Sequence, residues 1–137
     1  MSHAGDIDPP AAFEMLTGDP DTVLVDVRSP AEWQFVGIPD LSGLDKQAVG
    51  ITWRGPQAEA TAAFVEQLAA SVADRTTPVL FICRSGQRSL AAAQTAASAG
   101  WTAAYNVVEG FEGPLDDQRH RGSTGGWKVA GLPWTQS

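Results

Sequence analysis

Short, continuous apolar runs alternate along this chain with longer segments whose apolar residues recur at helical spacing. Thr22 to Val27 is β-branched and Leu-rich, and its lack of polar alternation predicts a strand buried on both faces, as in a parallel sheet. Val49 to Trp53, Pro78 to Ile82 and Ala103 to Val108 read the same way, each bounded by Gly, Pro or Asp turns.

The helical segments lie between them. Asp8 to Leu16 predicts a first helix, with Asp8 as N-cap and Pro9 at the first helical position. Ala31 to Phe35 follows Ser29 as a cap and Pro30 as a starter, and Gly37 and Pro39 end it. From Pro56 to Val72, Ala60, Phe64, Leu68 and Val72 recur every fourth residue and present one apolar face to a sheet, while Glu59 and Glu66 face water. Ser89 to Ala99 is Ala-rich with strong helix propensity, and Gly100 stops it. The alternation predicts an α/β three-layer sandwich: a mainly parallel sheet of four to five strands with helices on both faces. Ligands of such sheets bind beyond the carboxyl ends of strands.

Length and composition narrow the picture. The 137 residues suit one domain, with a core over about residues 7–113 and an extension over 114–137, and 43% hydrophobic residues with 18% charged describe a globular chain. Nine basic against sixteen acidic residues give a net charge of −7, which offers no global attraction to nucleic acid or to anionic lipid. No run reaches the roughly 20 apolar residues needed to cross a bilayer, so a cytoplasmic home is the expectation. A single cysteine excludes an intramolecular disulfide and a multi-cysteine metal site. Cys83 is therefore either a small core residue or a reactive thiol.

Its surroundings favour the second. Phe81-Ile82-Cys83-Arg84-Ser85-Gly86-Gln87-Arg88-Ser89 sets the thiol directly after a buried strand and directly before a helix, where unpaired backbone N–H groups and the positive end of the helix favour an anion. Arg84 and Arg88 add two full charges that favour the thiolate, and Gly86 permits a tight backbone turn.

Two segments together resemble the rhodanese family: Val25-Asp26-Val27-Arg28-Ser29-Pro30-Ala31-Glu32-Trp33 and Cys83-Arg84-Ser85-Gly86-Gln87-Arg88-Ser89. The resemblance extends from about Ile7 to Val108, and Asn106-Val107-Val108-Glu109-Gly110-Phe111 is similar to the family's last strand and turn. It implies an α/β fold in which Cys83 opens a six-residue loop and carries sulfur as a persulfide. A thiosulfate sulfurtransferase is then expected, taking sulfane sulfur from a small anionic donor and passing it to cyanide, a thiol or a protein acceptor, with no metal and no organic cofactor. The amides of Arg84, Ser85, Gly86, Gln87 and Arg88 would cradle the anion, with Arg88 favoured over Arg84 for the sulfonate. Asp26 and Arg28 would support the site, Arg28 either orienting it or pairing with Glu32 four residues on. Trp33 reads as core or pocket wall. One departure is Val36-Gly37-Ile38-Pro39-Asp40-Leu41, which lacks the histidine that many members place after this glycine.

Three other readings compete. A phosphatase or arsenate reductase is the first: related phosphatases use a loop one residue longer, with arginine six positions after the cysteine, where this chain has Ser89. A cysteine hydrolase needs a positioned histidine, and the two available are His3, near the terminus, and His120, in a polar stretch. A noncatalytic interaction module is the third. Trp127, Val129, Leu132 and Trp134 give the extension more apolar surface than a free tail exposes, so it is expected to dock.

Overall fold

The structure is a computed structural model that describes residues 3–136. Five strands form one parallel sheet: β1 (Gly5–Ile7), β2 (Val23–Asp26), β4 (Val49–Gly50), β5 (Val79–Ile82) and β6 (Ala104–Val107), in the spatial order β1-β6-β5-β2-β4. The central pairing aligns Val23, Leu24, Val25 and Asp26 with Val79, Leu80, Phe81 and Ile82. The carboxyl ends of β2 and β5 therefore reach the same edge, and the chain turns there into Val27–Ser29 and into Cys83.

Pleating splits each strand between two cores. Val79, Phe81 and Cys83 face one way, packing with Phe64, Leu68 and Val72 and with Ala92, Ala93 and Ala96. Leu80 and Ile82 face the other, against Ala12, Leu16, Phe111 and Trp127. This period of two sends neighbouring residues of one strand to opposite helical layers.

The helices are α1 (Pro9–Gly18), α2 (Pro30–Phe35), α3 (Ala58–Ser71) and α4 (Gln87–Ser98). Asp8 caps α1 by accepting from the Ala11 N–H at 2.8 Å. Ser29 and Glu32 form a reciprocal capping box on α2, with proline at its first position. The apolar stripe of α3 is as expected, with Phe64 and Leu68 buried and Glu59 and Glu66 exposed.

The sequence pattern left three features unread. β1 is only three residues long, carries one apolar side chain, and exists by pairing with β6 at the sheet's edge. A second, two-stranded antiparallel sheet joins β3 (Ile38–Pro39) to β7 (Trp134–Thr135). Helix α4 begins at Gln87, two residues before the expected Ser89. The extension packs on the domain: Trp127 is fully buried, edge-on to Phe13 at 5.9 Å, and its Nε1–H donates to Pro133 O at 2.7 Å. Among the described residues no helix is long and apolar enough to cross a membrane.

Candidate active site

Cys83 stands where β5 meets the turn Arg84–Ser85–Gly86, and α4 starts immediately after it. Gly86 makes that junction at φ +108°, a conformation that side-chain-bearing residues rarely adopt. Its N–H donates to Cys83 Sγ at 3.1 Å, and Ser89 Oγ lies 3.2 Å from the same sulfur. The first-turn N–H groups of α4 have no intrahelical acceptors, so the positive end of a twelve-residue helix opens beside Sγ. The cysteine itself is 1% exposed.

The turn after β6 clamps the loop from the far side. Phe111 N–H donates to Cys83 O at 2.8 Å, and the N–H groups of Glu112 and Gly113 donate to Arg84 O at 3.0 and 3.2 Å. Gly110 allows this approach: it sits at φ +61°, and a Cβ there would lie 2.4 Å from Cys83 O. Any larger residue must push the loop away from the sheet.

The charged residues divide unexpectedly. Arg84 is exposed beside the loop, as are Gln87 and, in part, Ser85. Arg88, favoured as the sulfonate ligand, points instead to Glu32, with Nη1 to Oε1 at 2.7 Å and Nη2 to Oε2 at 2.9 Å. Arg28 does not form the expected pair with Glu32. It precedes the N-cap Ser29 and is off the helix face, while Glu32 turns back to the Ser29 N–H and across to Arg88. Arg28 is wholly buried and forks onto Asp26, with Nη2 to Oδ2 at 2.6 Å and Nε to Oδ1 at 2.9 Å. It also donates to Gly37 O at 2.8 Å and lies 4.4 Å over the Phe111 ring. These two supporting residues therefore brace the wall that holds Phe111 against the Cys83 loop.

The Arg88 hydrogen bonds lower the Glu32 carboxyl from 4.5 to about 2, with the Ser29 N–H also lowering it against the opposing effect of burial. A depressed carboxylate contributes stability that is complete above its unfolded value and is lost as pH falls through the folded one. Glu32→Gln is therefore expected to cost roughly 1 kcal/mol at neutral pH, since this pair is partly exposed. The difference between wild type and variant should shrink between pH 4.5 and about 2. Urea midpoints measured across that range check it, and a constant difference would refute it.

Two residues at the site escaped the sequence reading. Ser89, noted only as a helix start and as the absent phosphatase arginine, touches the sulfur and donates to Asn106 Oδ1 at 2.6 Å. Asn106 was counted as strand alone. A lone amide inside the run Ala103 to Val108 was the available signal, because a buried polar group needs a partner. Trp33 sets the outer end of its ring against Gly50, where a Cβ would be 2.8 Å from it, and it walls a cavity of about 380 Å³ with Asp26, Ile38, Ala48 and Gly50.

Known proteins are similar to this chain over most of its length. The family model described as the STR4 middle domain matches residues 6–137. A crystal structure of a protein from M. tuberculosis superposes with a TM-score of 0.85 at 48% identity, covering 99% of this chain and 100% of the other. The chain is 29% identical over 126 residues to the chloroplastic rhodanese-like domain-containing protein 4 of Arabidopsis thaliana, which is 91% of this chain and 24% of that protein. It is 33% identical over 102 residues to the thiosulfate:glutathione sulfurtransferase of Saccharomyces cerevisiae, 72% of this chain and 66% of the other.

Proposed function

The chain belongs to the rhodanese-like domain family, whose members similar to it include a sulfurtransferase, and we propose that it is itself a sulfurtransferase working through a Cys83 persulfide. The observation that carries this reading is the placement of Sγ, at the amino end of α4 and 3.1 Å from the Gly86 N–H. Fixed dipoles there favour a thiolate before reaction and an anionic terminal sulfur after it, without reorganising during the step.

Thiosulfate is the donor that fits. The Cys83 thiolate attacks its outer sulfur, the S–S bond of thiosulfate breaks, and sulfite leaves with the electron pair, giving Cys83–S–S⁻. Cyanide or a thiolate then attacks the terminal sulfur, and the electron pair of the persulfide bond returns to Cys83. Charge and atoms balance in both halves. The loop amides from Arg84 to Arg88 would supply the cradle, and Arg84, exposed beside Cys83, would meet the sulfonate by a charge-assisted bond. Arg88 acts at one remove, by holding Glu32 and with it the start of α2.

A second reading has its own support: a thiol 1% exposed and an arginine already committed to Glu32 suit a recognition domain that performs no transfer. Mass spectrometry separates the two. Thiosulfate treatment of the reduced protein is expected to add one sulfur atom to Cys83, discharged by cyanide. No added sulfur would leave the recognition reading standing.

A further inference from the structure

The hydroxyl of Ser89 has a single proton, and its direction is decided at the opposite end of a buried chain of polar groups. Ser89 is wholly buried and Asn106 is 4% exposed. At 2.6 Å from Asn106 Oδ1, an atom that only accepts, Ser89 Oγ must be the donor. The amide is oriented in turn by Asp6, whose Oδ1 lies 3.4 Å from Asn106 Nδ2. That bond is long, but the flipped amide would set an oxygen against a carboxylate oxygen at the same distance. His3 Nε2, 2.7 Å away, secures the carboxylate from outside. With its proton committed to Asn106, Ser89 offers Cys83 only a lone pair.

We propose that Ser89 and Asn106 are positioning residues, polarised by Asp6, which make Ser89 an acceptor of the Cys83 S–H in the unloaded enzyme and so oppose release of that proton. The relay opposes the Gly86 N–H, which favours the thiolate from the other side. Among charged groups near the sulfur, Arg88 from α4 is turned to Glu32 of α2 and acts on Cys83 only through its field, and the exposed Arg84 follows Cys83 on the loop. The inference rests on Cys83 as the reacting thiol, but its test reads protonation of the sulfur, whatever the outcome of sulfur transfer.

Asp6 is half-exposed, with 53% of its side chain accessible, so Asp6→Asn leaves packing intact. The new amide can donate to Asn106 Oδ1, which lets Asn106 flip and releases the Ser89 proton to the sulfur. Thiolate absorbance at neutral pH, taken as the difference from Cys83→Ser, is expected to rise about fivefold in Asp6→Asn, the equivalent of one ordinary hydrogen bond. The rise should vanish when Ser89→Ala is added, because contacting groups are not additive. An unchanged absorbance in Asp6→Asn overturns the relay, and so does a rise that persists without Ser89, which is simple removal of a negative charge. The infrared S–H stretch gives a second reading that needs no buried substitution: displaced to lower frequency in the wild type and weakened in Asp6→Asn. A wild-type band at the free-thiol position overturns the proposal as well.

Discussion

Cys83→Ser is expected to lower thiosulfate-to-cyanide transfer by roughly a thousandfold or more, the scale on which removal of a nucleophile acts. A hydroxyl cannot form the persulfide, and no second cysteine exists to replace it. The fold should survive. Serine is slightly smaller, and at this position its oxygen finds two partners ready, the Gly86 N–H and Ser89 Oγ, so the buried hydroxyl is not orphaned. The thermal midpoint should stay within a few degrees of wild type, a change of about 1 kcal/mol. The measurement pairs turnover with thermal unfolding on the same sample. Near-normal turnover in the folded variant would end the persulfide mechanism.

The reason this site could be located from the sequence is that its central part is local. Strand, cysteine, turn and helix are consecutive, so Ile82, Cys83, Gly86 and the α4 segment declare one another within a few residues. The same holds for β2 and its Asp26–Arg28 exit, and for the α3 stripe of Phe64, Leu68 and Val72. What was not legible is what joins distant segments. Arg88 finds Glu32 across 56 residues, and Asp6 finds Asn106 across 100. Helical spacing suggested Glu32 for Arg28, but that rule applies only to residues on one helix, and Ser29, lying between them, is already the cap. The two-residue strands β3 and β7 are equally invisible: neither has a pattern of its own, and each exists because Gly37 lets Trp134 and Thr135 lie close against it.

The extension and the site are parts of one packed wall. Lys128 places Nζ 3.9 Å from the Trp134 ring centre and 5.2 Å from that of Phe111, and donates to Val36 O at 3.1 Å. Burial lowers its ammonium below the usual lysine range, with Glu112 opposing. Phe111 receives Arg28 as well, and gives its N–H to Cys83 O. The Trp-rich tail therefore bears on the Cys83 loop through the turn after β6: Trp134 and Lys128 pack on the Phe111 ring, and the N–H groups of Gly122, Trp127 and Lys128 donate to Glu112 O, Gly110 O and Phe111 O.

Arg28 is where that wall is most vulnerable. Arg28→Ala is expected to destabilise the protein by about 3–5 kcal/mol, because it strands the Asp26 carboxylate in the interior. Asp26 is 2% exposed, and among the described residues its carboxylate is held by Arg28 alone, through the guanidinium fork and the weaker backbone N–H. Gly37 O would lose its donor and Phe111 the cation over its ring. Against the roughly 5–15 kcal/mol that a domain of this size holds in total, such a loss brings the variant close to unfolding. Removing both charges is a different matter. Asp26→Leu with Arg28→Met leaves no uncompensated ion, and volume-matched apolar pairs often equal a buried salt bridge in stability. The double variant should therefore recover most of the loss in urea midpoint, with an unchanged slope showing that the same surface unfolds. Its sulfur transfer should stay below wild type, because the methionine restores packing against Phe111 but not the bond to Gly37 O. A cost under about 1 kcal/mol for Arg28→Ala would mean that water reaches Asp26, and that the pair braces nothing.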